Sequence, residues 1–418
     1  MSVYDISGNV ITASVYVSVK DFGAAGNGIT DDGPKIRQAI TYCQQSGKTL
    51  FFPEGIYFIG TGVTSAEVAL SVSNTPANII GSGMGKSIIR LSTAFAGRYM
   101  GLSLKDVSMM YIRDITIDNG YPSSAWASET EEAGAHCIRL ANCDNIQIEN
   151  VELCNAKHYG IGMQGNSSRH ILINGVYIHD VGGDGIDFKN FDDTNADLTI
   201  NNTTVINPAL TTFSTAQCGI DVRCKGVNIN NIFIQVGSGG KSGIRARSST
   251  TLQGTGGKFA NINNVTIIGT SGNTGIGISC DTDGVKIQNV HIEKMGQGFY
   301  LINKDNGVSD GSQATYSHIE NCTLSECFTN AFYIYGDGNT IENTTIENMT
   351  GTTAAIQVLK GTSHSFSGCI FKDINKLFEV ANSIEKLSVI GCKAISVATL
   401  ATGNTTAIEK ISCIGMSN

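Results

Sequence analysis

Proline is scarce in these 418 residues, numbering 5, and charged residues make up only 15% of the chain. So few charges, alongside 49 glycines, exclude a chain of surface helices and point to a β-rich solenoid. There is no basic block, and the formal net charge of -8 excludes a general affinity for nucleic acid or acidic lipid. No apolar run is long enough to cross a bilayer. The opening MSVYDISGNV lacks the basic start and apolar core of a secretion signal. A chain of this kind is intracellular, is delivered by another route, or is written without its leader. Tryptophan occurs once, as Trp126.

Cysteine is not lacking, at 12. Cys322 and Cys327 have no second pair at zinc spacing, which argues against a metal cluster. The chain is too large to need disulfide staples. Most cysteines stand where other repeats carry Val, Thr or Ile, so they read as buried small hydrophobes.

What is abundant is repetition. A six-residue pattern runs apolar, any, Asn or Gly, small or branched, any, apolar. It appears as IRDITI at 112, IENVEL at 148, INGVYI at 173, INNTTV at 200 and INNIFI at 229. It returns as INNVTI at 262, IQNVHI at 287, IENCTL at 319, IENTTI at 341 and FSGCIF at 366. The step varies from 22 residues (319 to 341) to 36 (112 to 148), which means a constant core with loops of different length. Between these lie second strands: CIRLAN at 137, GIGMQG at 160, GIDFKN at 185, GIDVRC at 219 and GIRARS at 243. GIGISC at 275, GFYLIN at 298, AFYIYG at 331 and AIQVLK at 355 continue the series.

Alternation of period two sends one side chain inward and the next outward. Short parallel strands stacked about 4.8 Å apart satisfy their backbone groups between turns. Asn and Gly at the third place suit a left-handed bend, and stacked Asn side chains can bond along the column. The pattern predicts an all-β right-handed parallel β-helix of about ten coils, its hand following from the usual chirality of parallel connections. TDDGPKIRQAITYCQQSG, from Thr30, predicts one helix with Asp caps, Pro34 in its first turn, and Ile36, Ala39, Ile40 and Cys43 on one face. Around 30–47 this helix would cover the open N-terminal coil. The division expected is an extension over 1–16 and one β-helix domain over 17–418.

VKDFGAAGNGITDDGPKIRQAI followed by TLFFPEGIYFI is similar to the opening of the pectate-lyase-like β-helix superfamily, which includes polygalacturonases, alginate epimerases and lyases, and phage tailspikes. The opening covers roughly residues 17–60, and the repeats extend the likeness over most of the chain. The resemblance implies binding or cleavage of acidic polysaccharide along one strand face. GDGIDF at 183 resembles the polygalacturonase stretch Asn-Thr-Asp-Gly-x-Asp, with Asp184 and Asp187 matching its aspartates. The places of that family's Gly-Asp-Asp and Gly-His-Gly read QCGID at 217 and KSGIR at 241, without the Asp pair or the His. HYGIGMQ at 158 resembles the epimerase rung Tyr-Gly-Phe-Asp-Pro-His and keeps Tyr159, but has Gly162 and Gln164 in place of its acid and His.

Aligning the second strands gives two outward columns. One runs Arg139, Gly162, Asp187, Asp221, Arg245, Gly277, Tyr300, Tyr333, Gln357. The other runs Ala141, Gln164, Lys189, Arg223, Arg247, Ser279, Ile302, Tyr335, Leu359. Asp187 and Asp221 would stand one rung apart, about 5 Å. Repulsion there splits two carboxyl pKa values into an acid and a base, as glycoside cleavage requires. Asp184 offers a wider pairing with Asp221, suited to inversion. Lys189, Arg223, Arg245 and Arg247 would hold the carboxylates of an acidic sugar. Tyr300, Tyr333 and Tyr335 would stack sugar rings. His158 and Tyr159 border the face, and Trp126 sits in an insertion beside it. The same Asp and Arg residues can instead neutralise one another across strands.

The expected function is therefore a polysaccharide-binding and glycoside-cleaving protein without a cofactor. Calcium on Asp184, Asp187, Asp192, Asp193 and Asp197 is an alternative whose spacing does not match an EF-hand. The residues leave open a polysaccharide lyase and a non-catalytic spike of the tailspike kind, which would be a homotrimer. The partner in each case is a polysaccharide or cell-surface glycan, and the place is extracellular or on a virion.

Overall fold

The computed structural model describes residues 3–4, 10–11 and 15–416, apart from 63–67, 94–99, 122–134, 164–166, 191–194, 211–217, 240, 248–259, 282, 302–315 and 350. Among these, 34 strands form one continuous hydrogen-bonded ladder, wound as a right-handed parallel β-helix. Val3–Tyr4 and Val10–Ile11 make a separate antiparallel pair.

One coil shows how the sequence makes a turn. Strand Ile138–Ala141 pairs in parallel with Ile161–Met163 of the next coil. Strand Asp144–Ala156 bends in its middle. Its first part pairs with Arg169–Asn174 and its second with Tyr177–Val181, so each coil contributes to three faces. The bend falls at Asn150, with φ 53°. This is the third place of the repeat. Asp114, Gly175, Asn202, Asn231, Asn264, Asn289, Asn321, Asn343 and Gly368 occupy it in other coils, all with φ between 49° and 65°.

A residue with a β-carbon is strained in that region, and Asn tolerates it best. Its amide also bonds along the corner. Asn202 Nδ2 donates to Asn174 Oδ1 at 2.7 Å, Asn231 to Asn202 at 2.6 Å and Asn289 to Asn263 at 2.8 Å.

Inside the coils, the branched residues of the repeat stack into columns with no exposure, such as Ile148, Ile173, Ile200, Ile262, Ile287, Ile319 and Ile341. Phe299, Phe332, Phe366, Phe371 and Phe378 fill the C-terminal half in mostly edge-to-face contacts. The recurring Gly of the second strand has a packing cause. A β-carbon on Gly277 would lie 2.8 Å from the Ile292 side chain and 2.8 Å from the Gly298 carbonyl. Gly219 and Gly243 meet the equivalent Ile234 and Ile267 at 2.8 and 2.7 Å.

The helix spans Gly33–Ser46, buries Ile36, Ala39, Ile40 and Cys43, and stops at Gly47 with φ 69°. Its caps differ from expectation. Asp32 precedes the helix but makes no side-chain cap bond, because its carboxylate accepts from the amides of Ala25 and Gly26 at 2.5 and 2.8 Å. Asp31 accepts from the amides of Gly33 and Gly60 at 3.0 and 2.8 Å, tying the helix start to the neighbouring strand end.

Candidate functional site

Strand Ile186–Lys189 pairs with Cys218–Arg223, which pairs with Ser242–Ala246. The register places Asp187 beside Asp221 and Asp221 beside Arg245. Ile186, Phe188, Ile220 and Val222 fill the core with no exposure, so the aspartates between them leave the barrel on its outer side. They do not form an open face, however. Both Asp side chains are fully buried, because the cations of the next column fold over them.

Lys189 Nζ lies 2.7 Å from Asp187 Oδ2. Arg223 Nη2 lies between the two acids, 3.1 Å from Asp221 Oδ2 and 3.5 Å from Asp187 Oδ1. Arg247 Nε donates to both Asp221 oxygens at 3.0 and 3.1 Å, and its Nη2 adds a further contact to Oδ2. Arg245 is half-buried on the same column and contributes by charge.

Asp184 stands just before this strand, 1% exposed. Its Oδ1 accepts from the Cys218 amide at 2.7 Å, and its Oδ2 has no hydrogen-bond partner among the described residues. Oxygens of Asp184 and Asp221 lie within 4.8 Å of each other, with the Cys218 sulfur in the same group. This corrects the wider, inverting separation expected for that pair.

The three acids differ in charge state. Burial, followed by the charges of Asp221 and Asp187, pushes Asp184 up to about 7. Burial and Asp221 also raise Asp187, against Lys189 and Arg223. Burial acts to raise Asp221 too, but Arg247 and Arg223 outweigh it and hold this acid well below the usual carboxylate range. Below about pH 7 a neutral acid and a carboxylate thus stand side by side.

An aromatic stack closes one side. The Tyr159 ring is parallel to that of His136 at 4.9 Å and lies 3.7 Å from that of His158. The Tyr159 amide donates to His136 Nδ1 at 3.4 Å. Burial and then Lys189 push His158 down to about 3, and burial foremost lowers His136, so both imidazoles are neutral. Burial and the charges of Asp187, Asp184 and Asp221 raise the Tyr159 phenol well above its ordinary range.

His136 escaped sequence reasoning. The rung it opens was counted from Cys137, whereas His136 precedes Ile138 by the same two places as Tyr159 precedes Ile161 and Asp184 precedes Ile186. That offset was the available signal.

Farther along, the columns need correction. Arg245 pairs with Ser279, not Gly277, and Ser279 with Tyr300. The column beside it passes from Arg247 to Asp281, whose amide donates to the Ala246 carbonyl one residue before Arg247. Tyr335 pairs with Lys360, not Leu359, across an irregularity. Tyr300 and Tyr333 stack on each other, centroids 4.8 Å apart and 12° from parallel. Their faces therefore turn toward each other, and the outer side of the column receives ring edges. The Tyr335 ring carries the Lys360 ammonium at 5.1 Å. Trp126, Gln164, Ile302, Asp192 and Asp193 lie outside the described residues. Asp197 is engaged with His170 at 3.3 Å, on another face from Asp184.

Comparison with known proteins adds four findings. A family model described as rhamnogalacturonase A/epimerase, pectate lyase-like, matches residues 16–237. Alginate lyase 7 of Azotobacter vinelandii is 27% identical over 173 residues, 40% of this chain and 20% of that protein. Among solved structures, the A-module of the Azotobacter vinelandii mannuronan C-5 epimerase AlgE4 superposes with a TM-score of 0.58 at 16% identity, covering 94% of this chain and 99% of the module. An N-terminal fragment of the bacteriophage Phi29 gene product 12 gives 0.61 at 14% identity, covering 95% and 70%. The chain thus spans about a fifth of the curated lyase it matches, and the structural likenesses concern the fold.

Proposed function

Because the chain belongs to the rhamnogalacturonase A/epimerase, pectate lyase-like family, we propose that it acts on a polysaccharide, and that it cleaves an acidic glycan at the Asp184–Asp221 pair. The observation that carries this reading is the split between two adjacent buried carboxyl groups. Asp184 holds its proton to about pH 7, and Asp221 stays ionised. Asp184 is the proton donor to the leaving oxygen. Asp221 is the carboxylate that faces the developing oxocarbenium charge. Their approach within 4.8 Å matches the retaining geometry better than the inverting one, which needs room for a water.

Charge supports an acidic substrate. Lys189, Arg223, Arg245 and Arg247 bring four cations to the three carboxyl groups of Asp184, Asp187 and Asp221, with Asp281 on the rung beyond Arg247. The partly exposed cations Lys189, Arg223 and Arg245 suit a uronate or similar carboxylate, which guanidinium groups bind in bidentate fashion. Tyr159 and His158 border the site as neutral walls.

The test is a panel of acidic and neutral polysaccharides assayed for new reducing ends, with Asp184→Asn and Asp221→Asn beside the parent chain. New reducing ends lost in both variants support the pair, and undiminished cleavage in both removes it. Products that absorb in the ultraviolet would assign the cleavage to elimination by a lyase instead. A second reading is favoured by the closure of the site, since both Asp187 and Asp221 are fully buried and ion-paired. In it the chain binds glycan without cutting it, as a spike at a cell surface or on a virion. Glycan binding without cleavage, together with a trimeric mass in solution, would choose that reading.

A further inference from the structure

At the far end of the helix, away from the acidic site, Cys369, Cys392 and Cys413 stand in one column. Ile370 pairs with Lys393, and Lys393 bridges to Ile414, so the three cysteines occupy successive coils in register. Their α-carbons are thus separated by about 4.8 Å, inside the window of about 4.4–6.8 Å that a disulfide spans. The sulfurs share one orientation. Each lies near the carbonyl two residues before it, at 3.4 Å for Ser367, 3.5 Å for Ile390 and 3.5 Å for Ile411. Each also reaches back to the preceding coil, at 3.6 Å to the Ile341 carbonyl, 3.5 Å to that of Phe366 and 3.1 Å to that of Val389. Cys392 Sγ additionally accepts from the Cys369 amide at 3.4 Å.

The three differ in access. Cys369 and Cys392 are each 1% exposed, whereas Cys413 is half-buried on the last coil, between Ile411 at 44% and Ile414 at 66%. The other cysteines of the chain are buried. This column therefore joins an accessible thiol to a sequestered one at the spacing a covalent bond requires.

We propose that the column is a thiol–disulfide exchange site for small disulfides of the glutathione type, with Cys413 as the entry thiol, Cys392 as the resolving thiol, and a Cys392–Cys413 disulfide as product. In the first step the Cys413 thiolate attacks one sulfur of the small disulfide. A mixed disulfide forms on Cys413 and one small thiolate leaves. In the second step the Cys392 thiolate, after a change of side-chain rotamer, attacks the Cys413 sulfur, and the second small thiolate leaves. The protein loses two electrons and two thiol protons, and the small disulfide gains them as two thiols. Cys369 assists from behind. Its amide donates to the Cys392 sulfur at 3.4 Å, and hydrogen bonding from Cys369, against burial, brings the Cys392 thiol down to about 7, so a thiolate is available at neutral pH. The product fastens the coil that carries Cys413 to the one before it.

The test uses the whole chain, incubated with excess oxidised glutathione, blocked with an alkylating agent and mapped by peptide mass. The expected result is a linked pair of peptides containing Cys392 and Cys413, with Cys369 alkylated after unfolding. Cys413→Ser, at a half-buried position, should abolish the linkage while leaving the circular dichroism spectrum unchanged. Cys369→Ala, which removes the side-chain donor, should slow the linkage several-fold and keep the same partners. The oxidised parent should melt a few degrees higher than the reduced one. A mixed disulfide that stays on Cys413, a Cys369–Cys392 linkage in the Cys413→Ser protein, or no oxidation at all would overturn the assignment.

Discussion

Two columns of polar side chains climb this helix, and they solve the same problem in opposite ways. At the corner, Asn174, Asn202 and Asn231 pass hydrogen bonds from coil to coil. On the strand face, Asp187, Asp221 and Arg245 occupy successive rungs, with Lys189, Arg223 and Arg247 closing over the acids. An amide is both donor and acceptor, so identical residues can stack without end. A carboxylate only accepts, so a second one directly above it is repelled unless a cation or a proton intervenes. The corner is a repeat that builds. The face breaks the repeat, and the break requires buried charge of both signs. A solenoid gains nothing structural from such an exception, which is why the face is the better place to look for chemistry.

The comparison breaks hardest at Asp184. Asp184→Asn keeps the shape and the bond from the Cys218 amide, but removes the transferable proton. Loss of a positioned general acid lowers turnover by about 10²- to 10⁴-fold. Steady-state rates on a cleaved polysaccharide measure this, and an unchanged rate would return Asp184 to a packing role. The pH dependence has a definite sign. Asp184 is raised from 3.8 to about 7, so the folded chain keeps a proton that the unfolded chain has lost between those values. Its stabilising effect is full below 3.8 and disappears as pH rises through about 7. Cleavage should fall across the same upper limit. Asp184→Asn should flatten the decline of melting temperature between pH 5 and 8, relative to the parent.

Next in size is Arg247→Ala. Asp221 would stay buried with Arg223 as its remaining hydrogen-bonding cation. Breaking a buried pair in this way costs about 3–5 kcal/mol. A double variant, Arg247→Ala with Asp221→Asn, should recover part of that loss in chemical denaturation. Failure to recover would mean that Arg247 acts by packing rather than by charge.

Much of this was legible in the chain, for a physical reason. A side-chain period of two and a coil-to-coil register fix which residues share a column, so Asp187 beside Asp221 follows once the repeat is aligned. The bend at the third place followed from Asn and Gly, which tolerate its φ. The slip at GIGISC shows where pattern stops. That stretch holds two Gly-Ile pairs, Gly275-Ile276 and Gly277-Ile278, two residues apart and equal under period two. Only the strand register, which sets Ile278 beside Ile244, makes Gly277-Ile278 the equivalent of Gly243-Ile244. Burial of the acids, the closure by Arg247 and the nearness of Asp184 to Asp221 depend on side-chain torsions that no spacing encodes. Tyr300 and Tyr333 teach the same lesson. A column of aromatics one coil apart stacks on itself, so its faces are consumed by the repeat.

Gly277→Ala tests the close packing against Ile292. The added methyl would meet both the Ile292 side chain and a backbone carbonyl at 2.8 Å. Overpacking of this kind costs about 1–3 kcal/mol. Gly275→Ala is a poor control because its β-carbon would come within 1.9 Å of the Lys241 carbonyl. Ser279→Ala, on the outer side of the same strand, serves better and should change stability little.

The smallest effect belongs to the corner, and it separates two contributions. Asn231 sits at φ 55° and donates to Asn202 Oδ1 at 2.6 Å. Asn231→Gly keeps the bend and removes only the hydrogen bond, with a net loss of about 0.5–1.5 kcal/mol. Asn231→Ala removes the bond and also places a β-carbon without local compensation in the left-handed region, adding about 1 kcal/mol. Denaturation midpoints should therefore rank parent above Asn231→Gly above Asn231→Ala. Equal midpoints for the two variants would mean that the ladder bond, not the backbone bend, is why Asn recurs there. Equal midpoints for parent and Asn231→Gly would reduce the amide column to a by-product of the turn.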